Sequence, residues 1–137
     1  MVASQELIAR QVKAMKEDEL RDRLIVPTAL TYGWLIYWTH NSKRSPGGFP
    51  DLVLAHPVTG ALLVRELKKA GTQKRYQPRA DQQKWLDTFA LAKVDSGVWT
   101  PEHWFSGEIP RLLKELGTPI VPGFGTAIPR GRVTHTP

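Results

Sequence analysis

The chain has 137 residues, 41% hydrophobic and 23% charged, which suits one globular domain with its own core. It contains no cysteine, which excludes a disulfide framework, a thiolate metal site and a cysteine nucleophile. Nineteen Lys and Arg against 13 Asp and Glu give a net charge of +6 and a pI near 9.8, a balance that favours polyanionic partners, chiefly nucleic acid.

Residues 4–15 read as a short helix, with Ser4 as its N-cap and Leu7, Ile8, Val12 and Met15 on one side. Charges at Glu6, Arg10, Lys13, Lys16, Glu17, Asp18 and Glu19 argue against a signal peptide. The apolar run 34–38 is far too short to span a bilayer, so a cytoplasmic protein without a membrane partner is expected. A second helical pattern covers 17–32, with Leu20, Leu24, Ile25 and Ala29 inward. Pro27 should kink or limit it, and Gly33 should end it. Residues 34–39 have the aromatic, apolar composition of a buried strand, followed by a polar loop over 41–48.

Residues 51–55 and 61–68 read as two strands of a β-hairpin around a turn at 56–60. A basic loop covers 70–79. Asp81 should cap a helix over 82–92, with Trp85, Leu86 and Phe89 on its apolar side. A last strand at 97–100 and a final helix over 108–116, closed by Gly117, complete the order. These elements imply an α/β fold: a small mixed sheet flanked by helices, in one domain over 1–116. Residues 117–137 hold four glycines and four prolines and read as a flexible tail. A clasp through Arg130 and Arg132 is the alternative.

Positive charge is concentrated. Residues 65–84 carry seven basic side chains (Arg65, Lys68, Lys69, Lys74, Arg75, Arg79 and Lys84) against Glu66 and Asp81 alone. Lys43 and Arg44 form a second cluster. These segments are the expected DNA-contacting surface, with Lys43, Arg44, Lys69, Lys74, Arg75 and Arg79 as candidates.

Alternation along the second hairpin strand puts Leu62, Val64, Glu66 and Lys68 on one face. Asp51 opens the first strand after Pro50, so the hairpin can bring Asp51 and Glu66 together across fifteen positions. Two converging carboxylates repel unless a cation lies between them. An oxygen-only pair suits Mg²⁺, with Mn²⁺ as a substitute. Such a cation polarises a phosphodiester, and Lys68 can hold the attacking water. The competing interpretation makes Asp51 a turn residue and Glu66–Lys68 a surface pair. The histidines, His40, His56, His103 and His135, are scattered and read as surface or loop residues.

The runs GGFPDLVL, RELKKAG, ADQQKWLDTFA and VWTPEHW, with YGWLIYWTHNSKRS before them, resemble the VRR-NUC family of the PD-(D/E)XK nuclease superfamily over residues 17–104. The resemblance implies that Asp51, Glu66 and the backbone carbonyl of Leu67 ligate the metal. Lys68 would be the catalytic lysine, and Gln82 would support the site or touch phosphate. It also implies a glutamate on the helix before the first strand; Glu19 fits best, with Glu17 and Glu6 as alternatives. Trp38 departs from the pattern, which has histidine there. For stand-alone members, phage and bacterial, the resemblance implies a structure-selective endonuclease, a homodimer that cuts four-way junctions. A flap or sequence-specific endonuclease and a non-catalytic DNA-binding module are the rival readings. Trp85, Phe89, Trp99, Trp104 and Phe105 have core spacing, with base stacking as the alternative.

Overall fold

The computed structural model describes residues 2–39, 45–71 and 77–120. Helix α1 spans Val2–Ala14, so Ser4 lies inside it rather than capping it. Leu7 and Ile8 are exposed, whereas Met15 just beyond the helix packs against the core.

After Lys16 the chain re-enters helix as α2 (Glu17–Glu19), passes through a π-helical segment (Leu20–Ile25) and continues as α3 (Val26–Thr31). The Glu19 carboxylate accepts a hydrogen bond from the Lys16 N–H at 3.0 Å and closes the first turn. Pro27 neither ends nor limits this helix. Proline lacks an N–H and crowds the carbonyl four residues back. The wider π turns relieve that crowding: the Val26 N–H reaches back five residues to the Arg21 carbonyl. Gly33, at φ +86°, then turns the chain out of the helix.

Four strands form one sheet in the order β1 (Leu35–Trp38), β2 (Leu52–Ala55), β3 (Leu62–Leu67) and β4 (Asp95–Trp99). β1 and β3 each run antiparallel to β2, while β4 runs parallel to β3. A parallel neighbour requires a crossover, and α4 (Ala80–Leu91) provides it. The cap of α4 is Arg79, not Asp81, which lies in the first turn. A five-residue helix, α5 (Pro101–Phe105), follows β4 where none was expected. Helix α6 (Glu108–Leu116) buries Ile109, Leu113 and Leu116.

One sheet face carries Leu52, Leu54, Leu63, Leu67 and Trp99. They pack against Leu20, Ile25 and Ala29 from the long helix and Ile109 and Leu113 from α6. Trp34 joins this core and donates its indole N–H to the Leu113 carbonyl at 2.9 Å, so its polar atom is satisfied while its ring is buried. Arg65 lies on this same face. It pairs with Asp95 at 2.9 Å, 4.9 Å over the Trp99 ring, and so belongs to the scaffold rather than the basic surface.

His56 also belongs to the scaffold: it lies in the loop after β2, one of the two settings expected for it, but is buried rather than at the surface. Val58 and Thr59 N–H groups donate to its Nδ1, so Nε2 carries the proton and donates to the Tyr32 carbonyl at 2.8 Å. Helix α4 lies on the opposite face over β3 and β4, where the Ser96 hydroxyl donates to the Leu86 carbonyl. Leu35 and Tyr37 of β1 stay exposed on that side. Among the described residues no helix is long and apolar enough to cross a membrane.

Candidate active site

The β2–β3 register pairs Leu52 with Arg65, which places Asp51 beside Glu66 at the open end of the hairpin. The Asp51 Oδ2 accepts a hydrogen bond from the Leu67 N–H at 2.8 Å, fixing this carboxylate across the end of β3. Glu66 is buried. Its Oε2 accepts from the Gln82 side-chain amide at 2.8 Å and lies 3.6 Å from the Lys68 ammonium. The Gln82 carbonyl oxygen accepts from the Arg79 N–H at 2.9 Å, so the amide can only turn its NH₂ toward Glu66.

The other oxygen of Glu66, Oε1, is buried and has no hydrogen-bond partner among the described residues. A buried carboxylate oxygen left without a donor is costly, and burial raises the pKa of its group. Glu66 is pushed up to about 8, first by burial and then by the negative charge of Asp51, while Lys68 pulls the other way. That upward shift is what a buried carboxyl crowded by a second carboxylate undergoes.

On one side of Asp51 a recess of about 370 Å³ is lined by Glu17, Arg21, Leu67 and Lys69. Glu17 is half-buried there. Its pKa is raised by burial first and by Asp51 second, while Lys68 and Lys69 oppose both. Of the three candidate helical glutamates, Glu17 shares the acidic neighbourhood. Glu19 caps its own helix and lines a separate depression with Arg23 and Trp104. Glu6 is exposed on α1. Of the expected residue Glu19 and its alternatives, it is Glu17 that lies at the recess beside Asp51. Arg21 was not singled out by charge counting, yet it borders the recess, bonded to Asp22 at 2.7 Å and placed 5.7 Å over the Trp38 ring. An Arg beside Trp38 is a contact between separate elements, which spacing along the chain does not encode.

On the other side, Gln82 and Arg79 open onto a second hollow, with Arg79 paired to Asp81 at 3.2 Å. Lys69 is exposed at the recess. Lys43, Arg44, Lys74 and Arg75 lie outside the described residues. Trp99 is core, but Trp85 is not: it is partly exposed, held by Phe49 at 5.0 Å and by Phe89 at 5.7 Å. No cage of three or more His, Cys, Asp or Glu side chains occurs among the described residues. The oxygens that could hold a cation are those of Asp51 and Glu66, and an oxygen donor set fits a hard divalent ion that keeps several of its waters.

No protein-family model matches this chain. No curated protein matches it. Among solved structures it is similar to Hjc, a Holliday junction resolvase from the archaeal hyperthermophile Archaeoglobus fulgidus. The identity is 23% and the TM-score 0.42, over 58% of this chain. The chain spans 64% of that protein's length.

Proposed function

We propose that the chain is a metal-dependent DNA endonuclease of the PD-(D/E)XK superfamily, of VRR-NUC type. The observation that carries this reading is the buried Oε1 of Glu66, unpartnered beside Asp51 and Lys68. A structural ion pair would satisfy both carboxylate oxygens. This arrangement leaves one free, next to a second carboxylate, where an ion would complete it.

Asp51 and Glu66 would hold Mg²⁺, or Mn²⁺ in its place, with Leu67 contributing its backbone carbonyl. When bound, the ion supplies Lewis acidity toward a phosphodiester oxygen and lowers the pKa of a water. The protein's part is positioning. Gln82 holds Oε2 and so leaves Oε1 for the ion. Lys68, 3.6 Å from Glu66, orients the water that attacks phosphorus in line with the leaving 3′ oxygen and offsets the charge that develops. Glu17 adds negative charge at the edge of the site, beside Asp51 in the recess. Lys69, Arg79 and Arg21 offer positive charge on either side, as do Lys43, Arg44, Lys74 and Arg75 by sequence.

The substrate under this reading is branched DNA, with the four-way junction as the leading case. Two coordinated cuts need two copies of one site, which a symmetric homodimer supplies. The exposed Leu7 and Ile8 of α1 are apolar surface available for such pairing. A panel of duplex, nicked, flap and four-way junction DNA with Mg²⁺ and Mn²⁺ tests the proposal. Metal-dependent cutting concentrated on branched forms is expected. Binding without cutting any form would instead describe a non-catalytic DNA-binding module.

A further inference from the structure

The hollow on the Gln82 side of Asp51 is a cleft of about 830 Å³, within the range of about 300–1,000 Å³ usual for ligand sites. One end is polar, with Asp51, Gln82 and Arg79. The other is aromatic: Tyr37 is 63% exposed, Phe49 38% and Trp85 37%. Three aromatic rings are thus gathered at one end of a cleft whose other end is ionic, and they are also oriented. Phe49 meets Trp85 edge-on at 77°, and Phe89 lies behind it at 5.7 Å, so Trp85 is braced on two sides. The exposure follows from the fold, because α4 covers β3 and β4 and leaves Tyr37 of β1 uncovered across the cleft.

We propose that this cleft receives an unpaired nucleobase next to the scissile phosphate, stacked against Trp85 and Tyr37. A ligand for such a cleft needs an anionic part for the Asp51 end, reached through a cation or Arg79, and a flat apolar part for the aromatic end. A nucleotide has both. A base inside a duplex does not qualify, because its faces are covered by its neighbours and it must leave the stack to reach another ring. The cleft would therefore favour DNA with an unpaired nucleotide, or one readily unstacked at a branch point, over continuous duplex, which gives structure selectivity a local cause. This inference rests on the nuclease reading above and extends it to the nucleotide bound.

The test compares wild type, Trp85→Ala, Tyr37→Ala and Trp85→Phe, with Ca²⁺ in place of Mg²⁺ to suppress cutting. Fluorescence anisotropy would measure binding to a duplex with one unpaired nucleotide and to the fully paired duplex of matching sequence. A stacked base contributes about 5- to 150-fold to affinity. The alanine variants should lose that factor on the unpaired substrate alone, and Trp85→Phe should retain most of it. A 2-aminopurine at the unpaired position should be quenched by wild type and not by Trp85→Ala. Equal losses on both DNAs, or no loss on either, would overturn the proposal. So would unchanged binding with a lower sedimentation mass, which would make the aromatic face a contact between copies. Unaltered binding by these variants, with Asp51→Asn still abolishing cleavage, would remove this inference and leave the nuclease reading standing. A wild-type protein that cuts no DNA would remove both.

Discussion

Glu17 and Glu19 are two residues apart on one helix, yet they face different surroundings. Two residues turn an α-helix through about 200°, so the side chains leave from nearly opposite sides. Glu17 shares the recess with Asp51 and Lys69, where burial and the Asp51 charge raise its pKa. Glu19 is spent on the Lys16 N–H. Glu17→Gln should slow metal-dependent cleavage by about 10- to 100-fold, the range for a group that tunes a metal site from its edge. Glu19→Gln should leave the rate nearly unchanged and at most lower the melting temperature. Steady-state cleavage assays on the two variants check this. The reverse pattern would return the metal role to Glu19.

At the level of elements, the hairpin made most of the acidic site readable in advance. Asp51 after Pro50, and Glu66 two residues before Lys68, are positions that alternation and antiparallel pairing bring together without knowledge of the rest of the fold. The helix before β1 was harder. Distance along the chain does not give the direction a side chain leaves the helix, and the π segment Leu20–Ile25, with more residues per turn, shifts the phase of everything before it. Spacing alone therefore could not say which of Glu17 and Glu19 faces Asp51. The short α5 and the buried role of His56 were missed for another reason. Both depend on contacts between distant elements: His56 bonds Tyr32 and meets Trp34 edge-on at 5.2 Å. Trp85 was expected in the core because its spacing fits a helix face, but the part of α4 that carries it overhangs the cleft.

The loop before β2 shows how elements fix the cleft. Gly48 has φ +90°, and a Cβ there would lie 2.8 Å from the backbone of Asp81 at the start of α4. Only glycine allows both that conformation and that approach. Gly48→Ala should destabilise the protein by about 1–3 kcal/mol, read as a lower urea midpoint at unchanged m-value. An unchanged midpoint would mean that the loop does not press on α4.

At the scale of the molecule, a net charge of +6 goes with an acidic centre that is flanked by basic side chains among the described residues. Asp51 stands between two hollows, with Arg21 and Lys69 at one and Arg79 at the other. A polyanion crossing from one hollow to the other would meet positive charge on both sides and carboxylates in the middle. A cation between those carboxylates resolves the mismatch, and in the proposed function it also supplies the chemistry. The most direct measurement is cleavage of branched DNA by wild type, Asp51→Asn and Glu66→Gln, with and without Mg²⁺, with DNA binding followed in parallel. The account predicts that wild type cuts only with the metal, while both variants bind DNA but fall to background cleavage. Cleavage by either variant near the wild-type rate, or by wild type in excess chelator, would contradict it.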